Sequence, residues 1–359
     1  MPAWTKWLLG LSAFLVVVLI AGTIIRVPYD TLAPGGTLDL ASRVSIKGTK
    51  SYADRSDVMM LFVQERAHVN LWSLLQAKLD SNIDLVKQSD ITGGRTQKET
   101  DLQDVCDMAQ SQDDARVAAL KALGYKVPVV RGLQTVDLPH TFSTEATTKN
   151  GPPVSHNLYA WKVLQPCDQI VSADGHQLKQ PDDLSKIVKT HPVGSTVELG
   201  ITRSGKPLTV HAKVVQGPQA PIIGVDLGLR YKIPVNISIN TNDISGPSAG
   251  LAITLAIIDA LTPGRLTGGK RVAVTGTIDP NGNVGEIGGL PQKALAARAS
   301  HAQILIVPHC SDAGCRGDVA VARKRVGKNV EVVEVSTLAQ ALKVLRDAGG
   351  AAVPTQVAA

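Results

Sequence analysis

The alternation of hydrophobic and polar positions along this 359-residue chain changes period several times. From residue 7 to residue 25 no side chain is charged, and Lys6 and Arg26 bound the run. As a helix rising ~1.5 Å per residue it reaches roughly 28 Å, about the hydrocarbon thickness of a bilayer. The run exceeds the apolar core of a secretory signal, and Ala21-Gly22-Thr23 is its nearest approach to a small-residue cleavage site. An uncleaved transmembrane anchor is therefore the expectation over residues 1–28. Lys6 precedes the span and Arg26 is offset by Asp30, so the charge bias only slightly favours an extracytoplasmic body. Pro28, Pro34, Gly35 and Gly36 then mark an extended exit, followed by short β-rich pieces at 43–46 and 58–63 and a helix around 71–79. Over 97–123, Leu102, Val105, Cys106, Met108, Val117, Leu120 and Leu123 recur at helical spacing, and Gly124 is a natural stop.

Beyond residue 126 the pattern turns to short strands. Residues 168–178 read as strand, Asp174-Gly175 turn and strand, 181–188 as a capped short helix, and 197–210 as a hairpin about Ser204-Gly205-Lys206. From residue 222 strands (235–239, 271–277, 303–307, 330–335) alternate with helices (248–261, 291–300, 338–347). The chain is thus predicted to be α/β in five parts. These are the anchor at 1–28, a membrane-proximal α+β spacer at 29–125, a small β domain at 126–216, an α/β domain at 217–347 and a disordered tail at 348–359.

Composition narrows the function classes. Hydrophobic residues make up 44% and aromatics only 3%, so the cores are built from Val, Leu, Ile and Ala. The net charge of +6 comes from scattered Lys and Arg with no basic run interleaved with aromatics, which argues against nucleic acid as a partner. Cys310 and Cys315 lie close enough in sequence to close a small disulfide, while Cys106 and Cys167 either pair or stay free; four cysteines permit three full connectivities. No Cys-x2-Cys pair and no His-x3-His pair is present, so no metal site is expected.

The candidate chemistry lies in the last α/β segment. Gly246-Pro247-Ser248-Ala249-Gly250 puts a serine on a tight turn entering an apolar helix, where the unpaired N–H groups of a helix start can stabilise an oxyanion. Taken alone, Ser248 is also an ordinary helix cap. Lys293 follows Gly288-Gly289 in an Ala-rich helix; exposure is the usual fate of a lysine, but burial there would bring its pKa toward ~7–8 and make it a base. A hydroxyl needs such a base to become a nucleophile. Competing motifs fail. Residues 264–270 mimic a phosphate loop, but Arg271 stands where a metal-binding hydroxyl is needed and a strand follows rather than precedes, so no nucleotide is expected. Asp279-Pro280-Asn281-Gly282-Asn283 suits a hairpin turn better than a calcium loop, since Val284 and Leu290 occupy the glycine and acidic positions. A Ser-His-Asp triad through His309 has no positional support.

Residues 222–346 resemble the proteolytic domain of Lon proteases. The resemblance is carried by Gly246 to Gly250, Thr275-Gly276 and Ile287-Gly288-Gly289-Leu290 leading to Lys293, and extended by 261–268 and Val307-Pro308. It implies that Ser248 is the nucleophile and Lys293 the general base, with Thr275 helping to orient the lysine and Gly246, Pro247 and Ala249 shaping the turn. Residues 126–216 are similar to a PDZ domain, departing at Leu164-Gln165-Pro166-Cys167-Asp168, where Gly-Asp is usual. Such domains add a peptide strand beside a sheet edge. The whole arrangement resembles the membrane-anchored, Lon-like PDZ proteases of bacteria, which lack an ATPase module. This implies an ATP-independent serine endopeptidase acting on peptides or unfolded segments, without cofactor, and forming homo-oligomers. Two positions depart from the pattern. Ser245 stands where many Lon domains carry an acid, with Asp243 offset by two, and Glu286 stands where the anchored relatives often have a small residue or proline. A tethered peptide-binding scaffold with an inactive protease-like domain is the alternative, against which intact Ser248, Lys293 and Thr275 speak.

Overall fold

The computed structural model describes residues 3–52, 56–144, 154–242 and 244–354. Its helices are α1 (Ala3–Ile24), α2 (Leu71–Leu79), α3 (Gln88–Thr92), α4 (Gln97–Ala122), α5 (Pro181–Lys189), α6 (Gly250–Leu261), α7 (Leu290–Ala299), α8 (Ala313–Val326) and α9 (Leu338–Asp347). Among the described residues only α1 is long and apolar enough to cross a membrane, over Trp7–Ile24.

A mixed six-stranded sheet organises the protein. From edge to edge it runs Glu331–Val335, Ile304–Pro308, Val272–Val274, Val58–Arg66, Tyr29–Asp39 and Asp84–Lys87. The first four strands are parallel, and the last two continue antiparallel. Because successive side chains of a strand point to opposite faces, the buried residues divide cleanly. Val58, Met60, Val272, Val274, Ile304 and Ile306 pack with α4, α6 and α9 on one face. Met59, Leu61, Ala273, Leu305 and Val307 pack with α7 and α8 on the other. The result is a three-layer α/β/α body.

This body corrects the expected partition. Residues 29–125 are not a spacer: they supply three of the six strands, and α4 buries Met108, Ala115, Ala118 and Ala119 in the same core as α6. The strand Tyr29–Asp39 was hidden by Pro34, Gly35 and Gly36, which are poor strand residues and here sit at a shift in register. α8 is likewise not legible in the sequence. Gly314 and Gly317 mask it, although Asp312 caps it by accepting from the Cys315 N–H and three cations close its last turn. The expected disordered tail is ordered at its start, where the Gly350 N–H donates to Leu345 O and the Ala351 N–H to Arg265 O. Residues 355–359 lie outside the described residues.

The second sheet runs Lys206–Lys213, Thr196–Arg203, Gln169–Ala173, Val129–Asp137 and Asp226–Tyr231. Its last strand lies beyond residue 216, so the β domain extends past its expected boundary. The two hairpin turns fall where the sequence places them, with positive φ at Asp174-Gly175 and Ser204-Gly205. Cys167 takes the left-handed conformation (φ 67°) that glycine would adopt without strain, and is disulfide-bonded to Cys106 of α4. The following Asp168, 1% exposed, receives a two-pronged hydrogen bond from Arg203. Cys310 and Cys315 form the second disulfide.

Candidate active site

Ser248 lies in a short 3-10 turn, Pro247–Ala249, that leads directly into α6. The turn is braced from three sides. The Gly276 N–H and the Thr275 hydroxyl donate to Ser248 O, at 2.9 and 3.3 Å. Ser111 Oγ of α4 donates to Pro247 O at 2.9 Å, and the Gly246 N–H donates to Asp104 O of α4 at 3.0 Å. Gly246 has φ 89°, and Gly250 lies so close to Ile278 and Ser111 that a Cβ there would come within 3 Å of both. The glycine-framed pattern thus reflects one forced backbone conformation and one tight approach between elements.

Lys293 sits in the first turn of α7. That helix starts from Gly289, which is left-handed (φ 67°) and so near Val63 that a Cβ would reach 2.8 Å from its Cγ1, and Pro291 fixes the opening turn. The Lys293 side chain is 3% exposed and makes no hydrogen bond or ion pair among the described residues. Burial alone lowers its pKa from 10.5 to about 7, because the charged form loses its water. Its neighbour Gln292 is fully buried, with both amide atoms unpartnered among the described residues.

Ser248 and Lys293 line the same cleft of about 1100 Å³, with Gly246, Pro247 and Ala249. Thr275 is fully buried and is not part of the cleft lining; its hydroxyl bonds the serine's carbonyl, whereas the sequence expectation placed it on the lysine. Two cleft residues, Glu65 and Asp104, were not anticipated. Burial raises both carboxyl pKa values, followed by the repulsion of Asp104 on Glu65 and of Asp107 and Asp101 on Asp104. Nothing in the local sequence marked them, since both lie in the segment assigned to a spacer. Glu286, also on the cleft, accepts from the N–H and hydroxyl of Ser311, inside the Cys310–Cys315 loop. Asp243 lies outside the described residues. His309 stands away from this cleft, against Glu334 at 3.3 Å. The 279–283 segment is a hairpin turn, with Asp279 accepting from the N–H groups of Asn281 and Asn283.

A smaller cleft of about 460 Å³ lies in the β domain, between α5 and the segment entering the edge strand Asp226–Tyr231. Leu184 and Val188 of α5 face Ile223, Val225 and Leu227 across it.

Residues 230–347 match the Lon protease (S16) C-terminal proteolytic domain, and residues 147–214 match the PDZ domain. Over 99 residues the chain is 37% identical to Lon protease of Neorickettsia sennetsu, covering 27% of this chain and 11% of that protein. Over 112 residues it is 35% identical to Lon protease of Trichlorobacter lovleyi, covering 31% of this chain and 13% of that protein. The matched part is thus only a small fraction of these curated relatives. Among solved structures, the PDZ domain of an SdrC-like protein from Listeria monocytogenes is 20% identical, covering 28% of this chain and 90% of that one with a TM-score of 0.21. Two domains are found in this chain: a Lon-type C-terminal proteolytic domain and, before it, a PDZ domain.

Proposed function

We propose that this protein is an ATP-independent, membrane-tethered serine endopeptidase that works through a dyad of Ser248 and Lys293. The observation that carries the reading is Lys293 itself: a buried amine without a partner among the described residues, its pKa brought to about 7, on the same cleft as a serine in a tight turn. A neutral amine accepts the Ser248 Oγ proton as the oxygen attacks a peptide carbonyl, then returns it to the leaving amine; water hydrolyses the acyl-enzyme by the reverse route. Backbone N–H groups near Ser248 hold the oxyanion. Thr275 and Gly276 act from behind, fixing the Ser248 peptide unit that aims the hydroxyl.

Substrates are peptides or unfolded segments, and the protein acts as a homo-oligomer without nucleotide. In support of the last point, the glycine-rich 264–270 stretch is engaged by the segment after α9, where the Ala351 N–H donates to Arg265 O. The PDZ-like domain takes an extended peptide beside the edge strand Asp226–Tyr231, its side chains entering the cleft along α5. α1 anchors the protein with its catalytic body outside the cytoplasm. The test is hydrolysis of an unstructured peptide library, without ATP, by the full chain and by Ser248→Ala. Cleavage by the first and none by a folded second is expected; equal cleavage by both sinks the dyad.

A further inference from the structure

α2 carries an apolar face that the other described residues leave open. Leu71, Leu75 and Leu79 repeat every fourth residue with Trp72 beside them, so at ~100° per residue all four fall within an arc of roughly 100°, flanked by Gln76 and Lys78. Their exposures are 36, 48, 80 and 37%, respectively, whereas Ala77 on the opposite side is buried.

The position of this face is set by α1. Trp72 Nε1 donates to Leu19 O at 3.1 Å, and the indole lies against Gly22, where a Cβ would come within 2.2 Å of Nε1. The Val27 N–H donates to Val69 O, the Arg26 guanidinium donates to His68 O, and Arg26 pairs with Asn70, the cap of α2. Chain exit and helix start are therefore locked together. Leu19 stands 24 − 19 = 5 residues before the end of α1. At ~1.5 Å per residue, the Trp72 hydrogen bond is made roughly 8 Å inside the apolar span. An interfacial helix sits ~5–10 Å into the boundary between headgroups and acyl chains, and tryptophan favours that layer.

We infer that α2 is a lipid-facing helix, seated in the interface of the bilayer that α1 crosses. The inference rests on the anchor reading of α1. A bilayer is the occupant that fits, because the open face continues the exposed apolar surface of α1 at the depth its own hydrogen bond dictates. The consequence reaches the active site. α2 packs on the strand Tyr29–Asp39, whose Leu32 and Thr37 line the Ser248 cleft, so the seated helix sets the orientation of that cleft to the membrane.

All four cysteines are disulfide-bonded, so single cysteines can be labelled in the full chain under non-reducing conditions. Leu75→Cys, Leu79→Cys, Phe14→Cys in α1 and Lys343→Cys in α9, at the opposite edge of the sheet, each receive a polarity-sensitive fluorophore. The proteins are reconstituted in phosphatidylcholine vesicles with and without lipid brominated along its chains. Loss of emission at positions 14, 75 and 79, and none at 343, is expected. Loss at 14 alone leaves the anchor standing and overturns the inference. Blue-shifted but unquenched emission at 75 and 79 also overturns it, since protein, such as a second copy, then covers the face. No loss at any position removes the anchor and the inference with it.

Discussion

Replacing Lys293 with methionine should raise stability while abolishing hydrolysis. Burial holds the amine's pKa at about 7 against 10.5 in water. Between those values the unfolded chain carries the proton and the folded chain does not, so wild-type stability rises with pH. This contribution is complete above 10.5, is lost as pH falls, and levels off below about 7. The slope approaches ~1.4 kcal/mol per pH unit well above pH 7 and is half that at pH 7, which gives about 2 kcal/mol between pH 7 and 9 and a cost of about 4 kcal/mol at pH 7. Methionine is similar in length and does not titrate, so Lys293→Met removes both the cost and the slope. Thermal melts followed by circular dichroism at pH 7, 8 and 9, with disulfides intact, measure the effect. At ~2–4 °C per kcal/mol, the variant should melt well above wild type at pH 7, with the gap closing by roughly 4–8 °C at pH 9. Other titrating groups, such as Asp114, whose pKa burial raises to about 7, are common to both proteins and cancel in the difference. A gap that does not change with pH, or a wild type more stable than the variant at pH 7, refutes a buried neutral amine.

Three further outcomes are expected. The kcat/KM of peptide hydrolysis should rise with pH through about 7 as Lys293 loses its proton; a profile flat from pH 5 to 9 contradicts its role as base. Cys106→Ser combined with Cys167→Ser opens a crosslink spanning 61 residues and should lower stability by about 4 kcal/mol in urea titrations, whereas a change below about 1 kcal/mol means the link constrains little. Gln292→Met removes two buried amide atoms without partners and should stabilise the fold by ~1–3 kcal/mol; a lower melting temperature would show that the amide has a partner.

The legible parts of this fold were those in which each residue's neighbours in sequence are also its neighbours in space. The helices over 71–79, 97–122 and 338–347 followed from their spacing, and the Asp174-Gly175 and Ser204-Gly205 turns from their left-handed requirement. Ser248 and Lys293 were legible as residue types in a familiar order, and they do share a cleft. What sequence could not convey was long-range pairing. The strand Tyr29–Asp39 carries proline and two glycines in mid-strand, so only its partners Val58–Arg66 and Asp84–Lys87 reveal it. α4 is legible as a helix but not as part of the site, yet its Ser111 and the carbonyl of Asp104 brace a turn more than a hundred residues later. Cys167 hid the usual glycine of its turn because a disulfide holds the same left-handed backbone.

Trapping the acyl-enzyme shows whether Ser248 is the nucleophile. The full chain is incubated with a slowly hydrolysed acylating peptide, quenched in acid and digested for mass spectrometry. An ester is expected on the fragment containing Ser248, forming faster above pH 7 than below it and absent from Ser248→Ala and Lys293→Met. An adduct on another residue, or one that forms equally well in Ser248→Ala, would contradict it.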